Sequence, residues 1–251
     1  MKLIKQISIL GFVCIILSSL YSCSAFYAFG NNGAAPMTFI KPVYADSLKV
    51  ITHVGGRYTH TSEGAYNENE ATYFGQLELS QIHILRNYNF SYGAFGYKGK
   101  YKVAELEDFK GKKEYYGGGL AGELSLNVPT KRIDIRIGIK GSLYYENGDF
   151  TKFRKLAAEQ DLIAGVINSR FAYNIGLIAG LESKHAKNSS FGIENSIGMT
   201  YFVNDNDKNE FLTLSSNLHY TYKRWTVYVL FTGGLAEIEE ELSFGIKYRL
   251  R

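Results

Sequence analysis

Apolar side chains recur at every second position through most of the chain after residue 47. The pattern is clearest between residues 132 and 143, where charged residues alternate with isoleucines: Arg132, Ile133, Asp134, Ile135, Arg136, Ile137, Ile139 and Lys140. Successive side chains of a β-strand point to opposite faces, so this segment has one apolar and one polar face. A chain made of such segments must cover every apolar face, either with a protein core or with lipid.

Ten segments are candidate strands of this kind, although Tyr228 and Leu230 make both faces of the ninth apolar. They are residues 48–58, 73–80, 88–94, 116–127, 132–143, 171–181, 191–201, 212–222, 225–231 and 243–250. Each has room for about ten residues, the length that crosses a bilayer at a tilt. The sequence therefore predicts an all-β fold, an antiparallel up-and-down transmembrane β-barrel of about ten strands within a range of about eight to twelve.

The predicted connections alternate in length. Short ones lie around Asn87, Pro129-Thr130 and Lys223-Arg224, and long polar ones at Thr61–Glu70, Glu105–Glu114 and Glu146–Arg170. Outer-membrane barrels have short periplasmic turns and long outer loops, and an even strand number returns both ends of the barrel to the periplasm. The connections at 184–189 and 204–208 depart mildly from this rule, because the inner one is not shorter than the outer one.

One segment does not alternate. Residues 153–167 contain helix formers, and Leu156, Ile163 and Ile167 fall near one helical face. We predict a short helix in the third outer loop. The alternative is two further short strands, which would bring the strand number to twelve.

Alternation is also compatible with a soluble fold, since sandwiches and lipocalin-like barrels have the same pattern. Three features favour the membrane. The apolar faces are long, aromatic residues cluster at the ends of the segments, as in interfacial girdles, and the last strand carries the C-terminal motif described below. The aromatic residues concerned are Tyr58, Tyr73, Tyr88, Tyr144, Tyr145, Tyr201, Tyr220, Tyr222, Trp225 and Tyr248. A soluble lipocalin-like lipoprotein that binds an apolar ligand stays an alternative.

The composition narrows the class of protein. The chain has 20 Tyr, 16 Phe and 26 Gly, which suit strands, aromatic girdles and tight turns. A mean hydropathy of −0.15 excludes a helical membrane protein but not a barrel with a polar lumen. The formal charge of +4 falls to +2 without Lys2 and Lys5, so no nucleic-acid partner is expected.

The N-terminus has the features of a secretory address. Lys2 and Lys5 precede an apolar stretch, residues 7–20, that is short for a spanning helix. The sequence Leu20-Tyr21-Ser22-Cys23 that follows resembles a bacterial lipobox, which implies lipidation of Cys23 with acyl chains such as palmitate. We therefore predict a signal peptide at 1–22, an irregular tether at 23–46 and a barrel at 47–251. The alternative is an ordinary signal peptide with an incidental cysteine.

This resemblance implies a location and partners. Lipoprotein-processing machinery would act on Cys23, and Ser24 is not an acidic retention residue, so the anchor is expected in the periplasmic leaflet of the outer membrane. Cys14 would leave with the signal peptide, which excludes an intramolecular disulfide. The tether loosely resembles the leader of lipid-anchored barrels of the Bacteroidota type, in Tyr27, Asn31, Asn32, Pro36 and Phe39.

The last strand carries a second resemblance. It is similar to the C-terminal β-signal that the barrel-assembly machinery reads, in Ser243, Gly245, Tyr248 and Leu250. The terminal aromatic of that signal is absent, because Arg251 follows Leu250. Pairing with residues 48–58 would close the barrel and remove the open edge.

The same strand predicts which side chains meet lipid. Phe244, Ile246, Tyr248 and Leu250 would face lipid, while Lys247 and Arg249 would face the lumen. On this view Lys247→Leu should be milder than Ile246→Lys, because a lipid-facing lysine near the midplane costs about 2–4 kcal/mol.

The polar faces converge on the barrel axis. Charges of both signs occur there in similar number, and a barrel of ten strands is narrow, so we predict that ion pairs fill the lumen. The expected charge network consists of Glu78, Glu123, Arg132, Asp134, Arg136, Lys140, Lys247 and Arg249. Outer-membrane lipid is the expected surrounding, and the sequence indicates no cofactor and no particular protein partner.

These features favour a structural, accessory or surface-interaction role over chemistry. A narrow porin-like channel would use the same lumen residues with water between them. Ten-stranded barrels include the omptin proteases, but here His60 with Glu63 is the rim candidate and lacks an acidic pair, so we predict no catalytic site. Asn204–Asp207 resembles a calcium loop without its Gly and Glu, and a polar hairpin explains it better than a metal site.

Overall fold

The strands of the computed structural model pair in chain order, and the last pairs with the first. The structure describes residues 37–40, 50–61, 71–85, 87–104, 106–130, 133–162, 166–186, 188–203, 210–234 and 241–250. The strands are β1 Val50–Thr61, β2 Ala71–Leu85, β3 Tyr88–Val103, β4 Gly111–Pro129, β5 Ile133–Gly148, β6 Phe171–Ala186, β7 Ser189–Phe202, β8 Glu210–Tyr222, β9 Trp225–Gly234 and β10 Glu241–Arg249. The predicted antiparallel barrel of ten strands is confirmed.

The closing pair is β1 with β10. Val54 lies opposite Tyr248 and Tyr58 opposite Phe244, so the predicted partner of the last strand is correct. Backbone groups that would form an open edge are therefore paired, which a membrane interior requires because it supplies no water to hydrogen-bond.

The faces of the strands separate apolar from polar side chains. Large apolar residues point outward on every strand and stay exposed, up to 74% for Leu77 and 64% for Leu120. A continuous exposed apolar belt of this kind is incompatible with a water-soluble monomer and matches a lipid-facing wall. The inward positions are mostly polar, the reverse of a lipocalin, so the soluble alternative is wrong.

One aromatic was assigned to the wrong face. Tyr145 points outward as predicted, but Tyr144 points inward and is 1% exposed. Adjacent residues of a strand always face opposite sides, so the two could not both belong to a lipid-facing girdle.

The two ends of the barrel differ in their connections. At one end, here called the turn end, two or three residues join β2 to β3, β4 to β5, β6 to β7 and β8 to β9. At the other, the loop end, connections run from six residues between β9 and β10 to 22 between β5 and β6. The predicted exception at 184–189 is wrong, because β6 continues past a register shift at Lys184/Ala186 and β7 begins at Ser189.

The predicted loop helix exists, and the described residues of this loop form no additional strand. Helix α1 spans Asp149–Glu159, so it begins and ends earlier than the predicted 153–167. Gly148, at φ 123°, takes a conformation that favours glycine and turns the chain directly from β5 into the helix. The predicted helical face is also wrong: Leu156 is largely exposed, Ile167 lies beyond the helix, and Ile163 lies outside the described residues.

Helix α1 packs over the loop end of the barrel with a different face. Phe150 stacks on Tyr101 at 4.2 Å between ring centroids. Arg154 is fully buried and donates to Oε1 of Glu146 at 2.9 Å and to the Ile167 carbonyl at 2.7 Å. The helix is therefore anchored to β5 by a buried ion pair as well as by aromatic packing. No helix in the described part of the chain is long and apolar enough to span a membrane.

The lipid-facing assignment predicts a dependence on depth. Ile246 is the middle of five outward apolar residues on and just after β10, whereas Leu250 lies at the edge of the belt. Ile246→Lys should destabilise the barrel by about 2–4 kcal/mol and Leu250→Lys by about 0–1 kcal/mol. Denaturant unfolding in lipid vesicles measures both, and equal losses would contradict the assignment.

Candidate functional site: the barrel interior

The described residues of the predicted charge network lie in the barrel interior. Glu78, Glu123, Asp134, Arg136, Lys140, Lys247 and Arg249 all lie on inward-facing positions of their strands. Arg132 lies outside the described residues. The period of two in the sequence is sufficient to select this face, because each of these residues neighbours an outward apolar residue.

A segment from the predicted tether also lies in this interior. Met37, Thr38, Phe39 and Ile40 are all buried, with at most 4% of each residue exposed. The Met37 methyl group approaches Gly93 of β3, where a Cβ would lie 2.6 Å from it. Ile40 packs with Tyr228 and Leu230 of β9. The four residues, here called the lumen segment, thus contact the wall on several sides.

Two cations bind the backbone of the lumen segment. Arg136 Nη1 donates to the carbonyl of Phe39 at 2.6 Å, and Lys247 Nζ donates to the carbonyl of Thr38. Arg136 is on β5 and Lys247 is on β10, which are five strands apart in either direction around the closed barrel. The segment is therefore hydrogen-bonded to opposite walls of the barrel.

Each cation is also paired with carboxylates. Arg136 lies 3.7 Å from Glu123 and forms an ion pair with Glu194, while Lys247 lies 2.9 Å from Glu78. Charges with so little access to water are tolerated when they are paired and hydrogen-bonded. The carboxylates thus balance the charge of the same cations that bind the segment.

The wall beside Lys247 is shaped by a glycine. Tyr228 donates to Glu78 at 3.3 Å, and its ring lies 5.8 Å from Lys247 Nζ. A Cβ at Gly245 would overlap this ring, so only glycine fits there. This close approach gives Gly245 a packing role in the barrel, whatever its role in assembly.

The other predicted assembly residues lie on both faces of the last strand. Ser243 points inward and its hydroxyl lies 2.8 Å from that of Thr59 on β1. Tyr248 points outward, 4.6 Å from Trp225 between ring centroids, and Leu250 is exposed beside them. Their recognition by assembly machinery stays a prediction.

Toward the loop end the interior is aromatic, which the charge pattern did not predict. A buried cluster joins inward-facing wall residues, the lumen segment and α1, and includes Met37, Phe39, Phe74, Phe95, Tyr97, Tyr101, Tyr115, Tyr144, Phe150 and Phe153. Charged and aromatic side chains therefore share the described interior. A signal was available, since Tyr97 and Tyr115 alternate with outward residues and face Gly117 and Gly99, which leave room for them.

Little space is left beside Arg136 and the carboxylates that pair with it. A cavity of about 20 Å³ lies between Arg136, Asp134, Glu182 and His219. That is enough for about one water molecule. His219 Nε2 is 3.9 Å from Glu182 across this site.

The four described histidine side chains lie on both faces of the barrel wall. His60 points outward from the loop end of β1, and its proposed partner Glu63 lies outside the described residues. His53 and His219 are buried in the interior, whereas His83 faces lipid and stacks on Tyr92. Within the described ranges, no group of three His, Cys, Asp or Glu is arranged to bind a metal ion. Asn204–Asp207 lies outside them.

These features define the class. A closed antiparallel barrel with an apolar exterior, a polar and aromatic interior, short turns at one end and long loops at the other is a transmembrane β-barrel of the outer-membrane type.

The chain is similar to solved outer-membrane barrels at low sequence identity. No known family model matches the chain, and no curated protein matches it in sequence. Outer membrane protein OprG from Pseudomonas aeruginosa is 11% identical over 81% of this chain and 96% of its own, with a TM-score of 0.40. An outer membrane channel from Pseudomonas putida F1 is 9% identical over 84% and 100%, with a TM-score of 0.42. At these values the function must be argued from this chain's own residues.

The ion pair between Lys247 and Glu78 argues against the expectation that Lys247→Leu is milder than Ile246→Lys. Lys247→Leu leaves Glu78 buried without its cation and should cost about 3–5 kcal/mol. Adding Glu78→Gln should recover a large part of that loss, because no uncompensated charge remains. A double-mutant cycle followed by denaturant unfolding measures this, and additive losses would contradict the pairing.

Proposed function

We propose that this protein is a lipid-anchored barrel of the bacterial outer membrane with a closed lumen, acting as a structural or surface-interaction component. The orientation follows the usual asymmetry of such barrels, with the turn end toward the periplasm and the loop end toward the exterior. Its working surface is then the loop end and the outer wall, because the interior is occupied.

The main support for this proposal is that the lumen segment occupies the barrel interior. Four consecutive buried residues lie inside a narrow barrel and are hydrogen-bonded through their backbone to cations on opposite walls. A passage for solutes needs water along the axis, whereas here protein backbone takes that place. Helix α1 adds a second obstruction, because its aromatic face packs on the interior cluster at the loop end.

Cys23 is the proposed anchor. The support is the lipobox-like sequence before it and its distance along the chain from the lumen segment. The fourteen steps from Cys23 to Met37 can extend to roughly 45 Å, more than the thickness of the hydrocarbon core. A lipid at Cys23 and a lumen segment at Met37–Ile40 are therefore compatible within one chain.

A narrow porin-like channel is the second candidate. It is supported by the polar inward faces toward the turn end and by the water-sized cavity beside Arg136. It would require the lumen segment to leave the axis.

Conductance separates the two functions. The mature protein, inserted in planar bilayers, should give no steady single-channel current, because the lumen segment and the ion pairs fill the interior. Insertion is checked independently by heat-modifiable gel migration of the same sample. A steady current from correctly folded wild-type protein would overturn the closed barrel and favour the channel.

Lipidation has its own test. Cells given an alkyne analogue of palmitate should label the wild-type protein, and Cys23→Ala should abolish the label. Cys14→Ala is the matched control and should keep it, since Cys14 lies within the predicted signal peptide. Label that persists in Cys23→Ala would contradict the anchor without affecting the barrel.

A further inference from the structure

Four lysines point outward from the wall near the loop end. Lys98, Lys100 and Lys102 alternate along β3 with buried Tyr97 and Tyr101, and Lys112 lies on the same outer face of neighbouring β4. At about 3.3 Å per residue and a tilt of about 40°, the ten residues from Tyr88 to Lys98 rise about 25 Å. This is the height of the apolar belt, so the lysines begin where the belt ends.

Among the described residues of this outer face, the lysines outnumber the carboxylates. One carboxylate, Glu114, lies 3.2 Å from Lys98 and 3.1 Å from Lys100. This carboxylate is therefore shared by two of the lysines. Lys102 lies directly opposite Lys112 in the strand pair, where like charges are destabilising. The arrangement is one that an anion would stabilise.

Beside and below Lys98, toward the turn end, glycines leave a depression in the outer wall. Gly75 is opposite Lys98, and Gly96 is opposite both Leu77 and Gly118. A Cβ at Gly75 would meet no atom within 4 Å, and one at Gly96 would meet a carbonyl at 3.7 Å. The missing side chains leave a trough that runs down the wall from the patch.

The trough continues into an apolar groove. A space of about 410 Å³ lies over β2–β4, lined mainly by Leu79, Tyr92, Ala94 and Leu120. It is part of the same lipid-facing surface as the belt. From the loop end downward, the wall thus presents ammonium groups, then glycines, then an apolar groove.

We propose that this wall binds one lipid molecule with a phosphorylated headgroup, its phosphate at Lys98, Lys100, Lys102 and Lys112 and one acyl chain in the trough. Ammonium groups donate charge-assisted hydrogen bonds to phosphate oxygens. The vertical order of charge and apolar surface matches a lipid in the leaflet at the loop end. A soluble polyanion would use the lysines and leave the trough without an occupant.

The test uses the mature protein in detergent with bis-phosphorylated lipid A as the probe, and native mass spectrometry measures the bound fraction. Replacing all four lysines by Gln should lower the apparent affinity about tenfold or more, because each loses an attraction to the headgroup. Lys152→Gln with Lys155→Gln, two exposed lysines of α1 that each pair with a carboxylate, is the matched control and should bind as wild type.

A second variant tests the trough. Gly96→Leu fits the fold, since its Cβ has space, and should also weaken binding because the new side chain occupies the acyl position. Ala179→Leu, the same kind of change on the outer face of β6, should not. Heat-modifiable migration confirms folding of each variant, and single Lys102→Gln replaces the quadruple variant if that fails.

Three results would overturn the proposal. Wild-type affinity in the lysine variant would remove the phosphate contact, and wild-type affinity in Gly96→Leu would remove the acyl site. Displacement of lipid A by inorganic pyrophosphate would identify a site for soluble anions instead. Because the site does not involve Cys23 or the lumen segment, its failure leaves the proposed closed barrel unaffected.

Discussion

Closure of the barrel between β1 and β10 is the constraint on which the other features depend. In a hydrocarbon environment no water replaces a missing backbone partner, so the first and last strands must find each other across the whole chain. Closure fixes which residues face inward, and this forces polar side chains into a narrow space. The ion pairs of Arg136 and Lys247 are the consequence, because buried charges need partners.

The same alternation of side chains gives the interior and the outer wall different roles. Inside, cations bind carboxylates and the carbonyls of the lumen segment, which leaves a packed axis. Outside, apolar residues face lipid on every strand. Toward the loop end of β2–β4, glycines interrupt the apolar belt and lysines follow them. Because the interior is closed, we expect this protein to contact other molecules through its outer wall and its loop end.

The strands and their faces were predictable, because a period of two is local information that survives in every segment. The lumen segment was not, since Met37–Ile40 has no period and its partners lie 97 and 209 positions away in the chain. Helix α1 was predicted in kind but misplaced, because Gly148 starts it directly at the end of β5. The aromatic cluster was missed because inward tyrosines resemble girdle residues until the register is known. The charged residues were placed on the correct face, but their pairing depends on strands distant in sequence.

The contact between Lys247 and Thr38 joins the two extremes of the described chain. The lumen segment precedes β1, while its second cation belongs to the last strand of the barrel, which is synthesised after the other nine. Until β10 is present, the segment has its Arg136 contact without the opposing one. Once the ring is complete, the segment is enclosed and can exchange only through an end of the barrel. Occupation of the lumen is thus coupled to closure of the barrel, so a barrel without β10 would lack both its closing strand pair and one of the two cations that bind the lumen segment.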